Sequence, residues 1–277
     1  MRHIERVSVL EGEWVLNILV CIKQVPASNK VEVDPKTGVL KRDGVASKMN
    51  PYDLYALECA LRLRESYGGK VSVLSMGPPQ AKAVIYEAFA MGADAGTLLS
   101  DRRFGGADVL ATSYTLAQGV RKAGSFDLIL CGKQTTDGDT AQVGPEMSEW
   151  LGIPCVADVT SIDRADDKGV VVKMELPGML KCSYMPFPCI LTVEKDICMP
   201  RLPSYVLKRA TAQRKIAVYT LDDMKDTDEA HYGLNGSPTQ VKRIFPPKAN
   251  TAHEVWKGDA RQLASTLYDK LRELKFA

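Results

Sequence analysis

The sequence predicts an α/β domain built on a largely parallel sheet. Three observations lead there. Short apolar runs recur in Leu16–Gln24, Lys70–Met76 and Asp127–Cys131, too short for helices and continuous enough for strands buried on both faces. Stretches with helical spacing separate them, and Gly, Pro or Asx residues stand at the junctions. Strands alternating with helices imply right-handed crossovers, hence a sheet wrapped on both sides.

The elements follow in order. Ile18 to Ile22 is an unbroken apolar strand, and the segment KVEVDPKTGVLKR (residues 30–42) reads as a hairpin turning at Asp34, Pro35 and Gly38. Asn50 has the character of an N-cap, with Pro51 at the first helical position, Asp53 at the helix's positive end, and Leu54, Leu57 and Leu61 on one face. After the strand ending at Met76, Gly77-Pro78-Pro79 turns sharply into a helix from Ala81 to Met91, stopped by Gly92. Thr97 to Ser100 is a short strand and Asp108 to Lys122 a helix. Asp127 to Cys131 is a strand, and Gly132 to Asp139 a polar loop. A further helix starts between Ala141 and Glu146 and ends near Leu151. Beyond Pro154 the pattern changes: Ser161–Lys173 and Cys189–Glu194 are expected as antiparallel edge strands, and Met199–Ile216 as a Pro- and Arg-containing loop. From about Ala217 polarity rises and strand signals stop. That arm is punctuated by Pro246, Pro247 and Asn250. It ends in a candidate amphipathic helix, Asp259–Leu274, with Ala260, Leu263, Leu267, Leu271 and Leu274 spaced along one face. The expected organisation is an N-terminal extension (1–15), an α/β domain (16–216) and a C-terminal arm (217–277) that packs on another chain.

With 36 basic against 34 acidic residues, the chain lacks the basic excess of a nucleic-acid-binding surface. No apolar run approaches the ~18 residues that suggest a membrane helix, and residues 1–15 have no signal-peptide core. Seven scattered cysteines without a C-x-x-C pair argue against a disulfide framework or zinc site, and for reduced thiols in the cytoplasm.

Ligands of parallel α/β sheets lie beyond the C-terminal strand ends. Here those ends carry Lys23, Ser75-Met76-Gly77, Ser100-Asp101 and Gly132-Lys133-Gln134. The richest is the loop Lys133 to Gly144, KQTTDGDTAQVG, which leads into a helix N-terminus where backbone N–H groups and the dipole favour phosphate. Thr135, Thr136, Thr140 and Gln142 add hydrogen-bonding side chains. Asp137 and Asp139 are suited to capping turns, and Gly138 and Gly144 to close backbone approach. A capped helix after an ordinary polar loop accounts for these residues equally well. No G-x-G-x-x-G follows a strand, and there is no P-loop, H-E-x-x-H or G-x-S-x-G motif. His3, His231 and His253 all lie outside the α/β core in sequence and read as surface groups. A chain without acid–base machinery is suited to holding a cofactor that does the chemistry.

Four segments, in order, resemble the electron-transfer flavoprotein β family. They are Val20-Cys21-Ile22-Lys23-Gln24-Val25-Pro26, Met49-Asn50-Pro51-Tyr52-Asp53 with Ala56-Leu57-Glu58, Gly77-Pro78-Pro79 with Ala90-Met91-Gly92-Ala93-Asp94, and Cys131 to Gly144. The resemblance implies an adenine-nucleotide α-hydrolase-like fold with antiparallel edge strands, and a heterodimer with an α subunit that holds an electron-transferring FAD. Housekeeping members bury AMP at the loop matching Thr135–Gly144. Bifurcating members hold a second FAD there, which takes hydride from NADH. It sends one electron through the α subunit to a flavin-dependent dehydrogenase, of acyl-CoA or other type, and one to ferredoxin or flavodoxin. Leu98–Thr115, LLSDRRFGGADVLATSYT, resembles the bifurcating branch, although an ordinary surface loop also fits Leu98–Asp108. The cofactor contacts so implied are Lys23, Ser75, Met76, Gly77, Asp101, Thr112, Gly132, Lys133, Gln134, Thr135, Asp137, Gly138, Asp139, Thr140, Ala141, Gln142, Val143 and Gly144; no catalytic side chain and no metal is implied. Met199–Tyr205 matches the family's recognition loop, with Leu202, Pro203 and Tyr205 as docking residues. One departure is Glu175-Leu176-Pro177-Gly178-Met179-Leu180, where housekeeping members carry an acidic, glycine-rich turn.

Overall fold

The computed structural model describes residues 15–27, 47–242 and 253–276. The hairpin expected over residues 30–42, most of the N-terminal extension, and the Pro246, Pro247 and Asn250 punctuation lie outside them. The first strand, β1 (Leu16–Cys21), is followed by the short antiparallel pair β2 (Gln24–Pro26) and β3 (Ser47–Met49), then α1 (Pro51–Tyr67). Next come β4 (Gly69–Met76), α2 (Lys82–Met91), β5 (Ala95–Leu99), α3 (Val109–Ala123), β6 (Leu128–Gly132) and α4 (Val143–Leu151). The second half has β7 (Cys155–Ala165), β8 (Gly169–Leu176), β9 (Met179–Pro186), β10 (Cys189–Val193), α5 (Tyr205–Ala210), β11 (Ala217–Tyr219) and α6 (Ala260–Glu273).

Nine strands form one sheet in the order β11-β5-β4-β1-β6-β10-β7-β8-β9, parallel from β11 to β7 and antiparallel beyond. Alternate residues of β1 feed two core halves. Ile18 and Val20 pack with Leu57, Leu61, Ile85 and Phe89, while Leu19 and Cys21 pack with Leu99, Leu116, Val120 and Met147 on the other face. Continuous apolar runs make the central strands because both of their faces are covered.

Four expectations are corrected. Cys189–Val193 is not an antiparallel edge strand. It is parallel, buried along its whole length, and inserted between β6 and β7. Its unbroken CILTV run is the signature of a central strand. Ser161–Lys173 is not one strand but parts of β7 and β8 around a turn where the Asp166 carboxylate accepts from the Lys168 and Gly169 N–H groups. Met199–Ile216 contains α5, capped by the Ser204 side chain. Strand structure does not stop at Ala217, because β11 adds to the sheet edge beside β5; three residues are too few to show periodicity. Leu221, Met224 and Tyr232 of the arm then bury against Phe104 and Leu116. Glu175–Leu180 forms the tight end of the β8–β9 hairpin, with Gly178 at φ 78°. Most of α6 is exposed, including Leu267 and Tyr268 of its apolar side. Among the described residues, no helix is long and apolar enough to cross a membrane.

Candidate functional site

The strand order reverses direction at β1. From it the chain steps out to β4 and β5, then crosses to β6 on the opposite side. At such a switch point the space beyond the C-terminal ends of β1 and β6, here called the β1/β6 crevice, is the place where open α/β sheets take ligands. Lys23 follows β1 and Asp137 lies in the loop after β6; Lys23 Nζ reaches the two Asp137 carboxylate oxygens at 2.8 and 2.9 Å. Burial opposes ionisation of Asp137, but the Lys23 ammonium, together with hydrogen bonds from the Thr135 hydroxyl and the loop backbone, holds the carboxyl below its ordinary range.

The loop after β6 is fastened by two buried side chains of the Asn-Pro-Tyr-Asp run. Asn50 occupies the position before α1, yet its side chain does not cap that helix. Its Nδ2 donates to Asp53 Oδ1 and to the Gln134 carbonyl, both at 2.9 Å, and its Oδ1 accepts from the Thr136 N–H at 3.2 Å. Asp53 Oδ2 accepts from the Lys23 N–H at 2.7 Å, and the carboxylate also accepts from the Gly132 N–H. One carboxylate thus joins the exits of β1 and β6. Burial pushes its pKa up to about 7, against these hydrogen bonds and the nearby Lys23 charge. Reading the sequence alone places both residues as helix-start signals and misses this role. The clue present was polar Asn next to Pro at N1, where an N-cap side chain and a loop-binding one look alike.

Within the loop, the Asp139 N–H donates to the Thr135 carbonyl at 3.0 Å. Asp139 and Ala141 take left-handed backbone conformations, φ 57° and 55°. Such conformations are unfavourable for residues with a Cβ and cluster at ligand-binding segments. Gly138, Thr140 and Gln142 are exposed, and Val143 opens α4. The Val143 and Gly144 N–H groups belong to a helix's first turn, whose donors have no intrahelical partner. Pro145 next to them carries no N–H. Gly144 has a packing role, since a Cβ there would sit 2.4 Å from Thr192 Cγ2 on β10. Lys133 turns to the other side of the loop, pairing with Glu194 at 2.5 Å and Asp158 at 3.4 Å.

On the β4–β5 side, Ser75 is completely buried and its Oγ has no hydrogen-bond partner among the described residues. An orphaned buried hydroxyl costs about 1–3 kcal/mol, and at a strand end bordering the crevice it fits a ligand's polar group. Met76 and Gly77 follow it, with the Gly77 N–H donating to the Leu99 carbonyl at 3.0 Å. Asp101 is committed elsewhere. Arg103 grips both of its oxygens at 3.0 and 2.7 Å, and the Leu221 N–H adds a bond at 3.1 Å, so it braces the arm. Thr112 is half-buried in the first turns of α3, whose N-cap Asp108 also receives the Thr239 hydroxyl. Among the described residues no cluster suits a metal. His231 lies outside the crevice strands, bonded to Asp226 at 2.6 Å.

Far along the chain, residues 199–207 project Met199, Leu202 and Tyr205, at 82%, 87% and 73% exposure, with Pro203 also exposed. The base of this segment is held on α1: Arg201 contacts Glu58 at 2.8 Å and Glu65 at 2.6 Å, and Arg62 donates to the Met199 carbonyl at 3.1 Å.

A family model described as electron transfer flavoprotein domain matches residues 37–224. The chain is 43% identical to an electron transfer flavoprotein subunit beta of Clostridium acetobutylicum, over 93% of this chain and 98% of that one. It is 44% identical to subunit CarD of the caffeyl-CoA reductase-Etf complex of Acetobacterium woodii, over 93% and 98% of the two. Its identity to protein FixA of Bradyrhizobium diazoefficiens is 40%, over 91% and 90%. With the family model covering most of its length, and relatives aligned over at least nine-tenths of both chains, this chain belongs to the electron transfer flavoprotein family, as a beta subunit.

Proposed function

We propose that this beta subunit holds FAD in the β1/β6 crevice and works, in the cytoplasm with an α subunit, as the NADH-oxidising half of an electron-bifurcating flavoprotein. The observation that carries the nucleotide reading is the loop from Gln134 to Gly144, anchored by Asn50, bent by left-handed Asp139 and Ala141, and running into the start of α4. Its backbone N–H groups would receive the phosphates, Lys23 would turn from Asp137 to the ligand, and Ser75 Oγ would gain a partner. Bound there, the flavin supplies hydride acceptance from NADH and one-electron transfer to the α-subunit FAD and to a low-potential acceptor such as ferredoxin or flavodoxin. The bifurcating assignment draws on the likeness of Leu98–Thr115 to that branch and on the relation to CarD and FixA.

A second reading, AMP in the crevice and a housekeeping beta subunit that serves only structure and dehydrogenase docking, is favoured by one observation. Asp101, one of the cofactor contacts that the resemblance implies, is already occupied by Arg103 and the Leu221 N–H. The deciding measurement is the FAD-to-protein ratio of the complex co-expressed with its α subunit, with extracted nucleotides identified by mass. Two FADs and no AMP are expected; one FAD with one AMP would replace the first reading by the second.

Leu202, Pro203 and Tyr205 are proposed to dock a flavin-dependent dehydrogenase, of acyl-CoA or other type, because exposed apolar and aromatic side chains on an anchored base make interface anchors. Tyr205→Ala should weaken dehydrogenase binding by roughly thirtyfold, the ~2 kcal/mol of a hot-spot loss, and leave the nucleotide content unchanged. Undiminished binding, measured by titration of the complex, would remove the segment from the interface.

A further inference from the structure

We propose that Cys59 and Cys198 form an oxidisable dithiol, which closes to a disulfide on exposure to peroxide and staples the start of segment 199–207 to α1. The two residues are far apart in sequence, yet their sulfurs lie 3.4 Å apart, in contact and short of a bond. Cys59 projects from α1 and is buried, while Cys198 is half-buried and immediately precedes the exposed Met199. Just beyond Cys198 the segment is already drawn onto α1, by Arg62 at the Met199 carbonyl and by Arg201 at Glu58, the α1 residues that flank Cys59. A covalent link would therefore need only a short approach of two sulfurs toward the ~2.0 Å of a disulfide.

The two thiols differ in a way that suits the chemistry. The hydrogen bond from Cys59 holds Cys198 below the ordinary thiol range despite its burial, with the Arg62 and Arg201 guanidinium groups assisting. The same contact, together with burial, pushes Cys59 up. Cys198 is thus the attacking thiolate and Cys59 the resolving thiol. The Cys198 sulfur attacks hydrogen peroxide: an S–O bond forms, the O–O bond breaks, and hydroxide leaves and takes up a proton as water. The Cys59 sulfur then displaces the sulfenic oxygen: the S–S bond forms, the S–O bond breaks, and a second water carries away the Cys59 proton. Two thiols lose two electrons in all and one peroxide is reduced to two waters. In a reducing compartment such a disulfide would be transient and reversible. By contrast Cys21 and Cys131, neighbours on β1 and β6, are buried inside the sheet's core.

The test treats the reduced complex with hydrogen peroxide, alkylates the remaining thiols and maps the peptides by mass. A cross-linked Cys59–Cys198 peptide lacking two hydrogen atoms is expected, removed by dithiothreitol and absent from Cys198→Ser and Cys59→Ser. The exposed Cys182 reports that oxidant has reached the protein. Recovery of Cys59 and Cys198 as separately alkylated or over-oxidised peptides, while Cys182 is oxidised, would overturn the proposal. Its consequence for docking rests on the assignment of segment 199–207 above and is read separately. Electron transfer to the dehydrogenase should change several-fold on oxidation of the native complex and not of Cys198→Ser. A disulfide without such a change would sink the docking assignment and leave the dithiol standing.

Discussion

Gly132→Ala is expected to cost about 3 kcal/mol of stability, the upper range for overpacking a close-packed site, and to empty the crevice of nucleotide. A Cβ at this position would sit 2.5 Å from Asp53 Oδ1, 2.6 Å from the Tyr52 carbonyl carbon and 2.7 Å from Tyr52 Cβ. All three belong to the first turn of α1, and the two from Tyr52, its carbonyl carbon and Cβ, cannot swing aside as the end of a long side chain would. The helix start must therefore back away from β6, taking with it Asn50 and the bonds to Gln134 and Thr136 that shape the loop. Thermal melting of the complex, with nucleotide content measured by extraction, checks both effects. A variant that melts with the native protein and keeps its nucleotide would show that the strand exit yields without disturbing the loop.

Asp53→Asn should gain on the native protein as pH rises. In the unfolded chain this carboxyl titrates near 3.8; in the folded one burial pushes it up to about 7. Between those values the folded state keeps a proton that the unfolded state has released. The Asp53 contribution to stability is thus fully present below the unfolded value and declines as pH climbs through the folded one. The interval is worth about 4 kcal/mol. Asparagine has the same shape and cannot ionise, so it escapes the decline. Its amide N–H2 meets a hydrogen-bond donor in place of one oxygen, a cost of about 1–3 kcal/mol at every pH. The difference in melting temperature, variant minus native, should move upward from about pH 4 to about pH 8, and a difference that stays level would mean that Asp53 is ionised throughout.

Both predictions concern residues whose type is plain in the sequence and whose role is not. Asn50 and Asp53 look like helix-start residues because their nearest neighbours are those of a helix start; their working partners, Lys23, Gly132, Gln134 and Thr136, arrive from distant strand ends. Lys133 and Gly144 look like ligand groups in a loop motif. Packing gives the first to Glu194 and the second to Thr192, both on or just after a strand that inserts late into the sheet. Asp101 is likewise claimed by Arg103 and the arm.

Read locally, the chain specifies its central strands, the helices between them, the loop from Lys133 to Gly144, and a resemblance that the family match and the relatives bear out. Those features follow from apolar runs, periodicity and punctuation, which act over a few residues and need no partner to be visible. Packing alone settles that β10 inserts between β6 and β7, that β11 joins the sheet edge, that Lys23 meets Asp137, and that Cys59 meets Cys198. Each of these depends on which distant residue fills the adjoining space. That choice is made by sheet order and close packing across the whole domain, where a strand pairing or a buried contact is fixed only when every other one is in place.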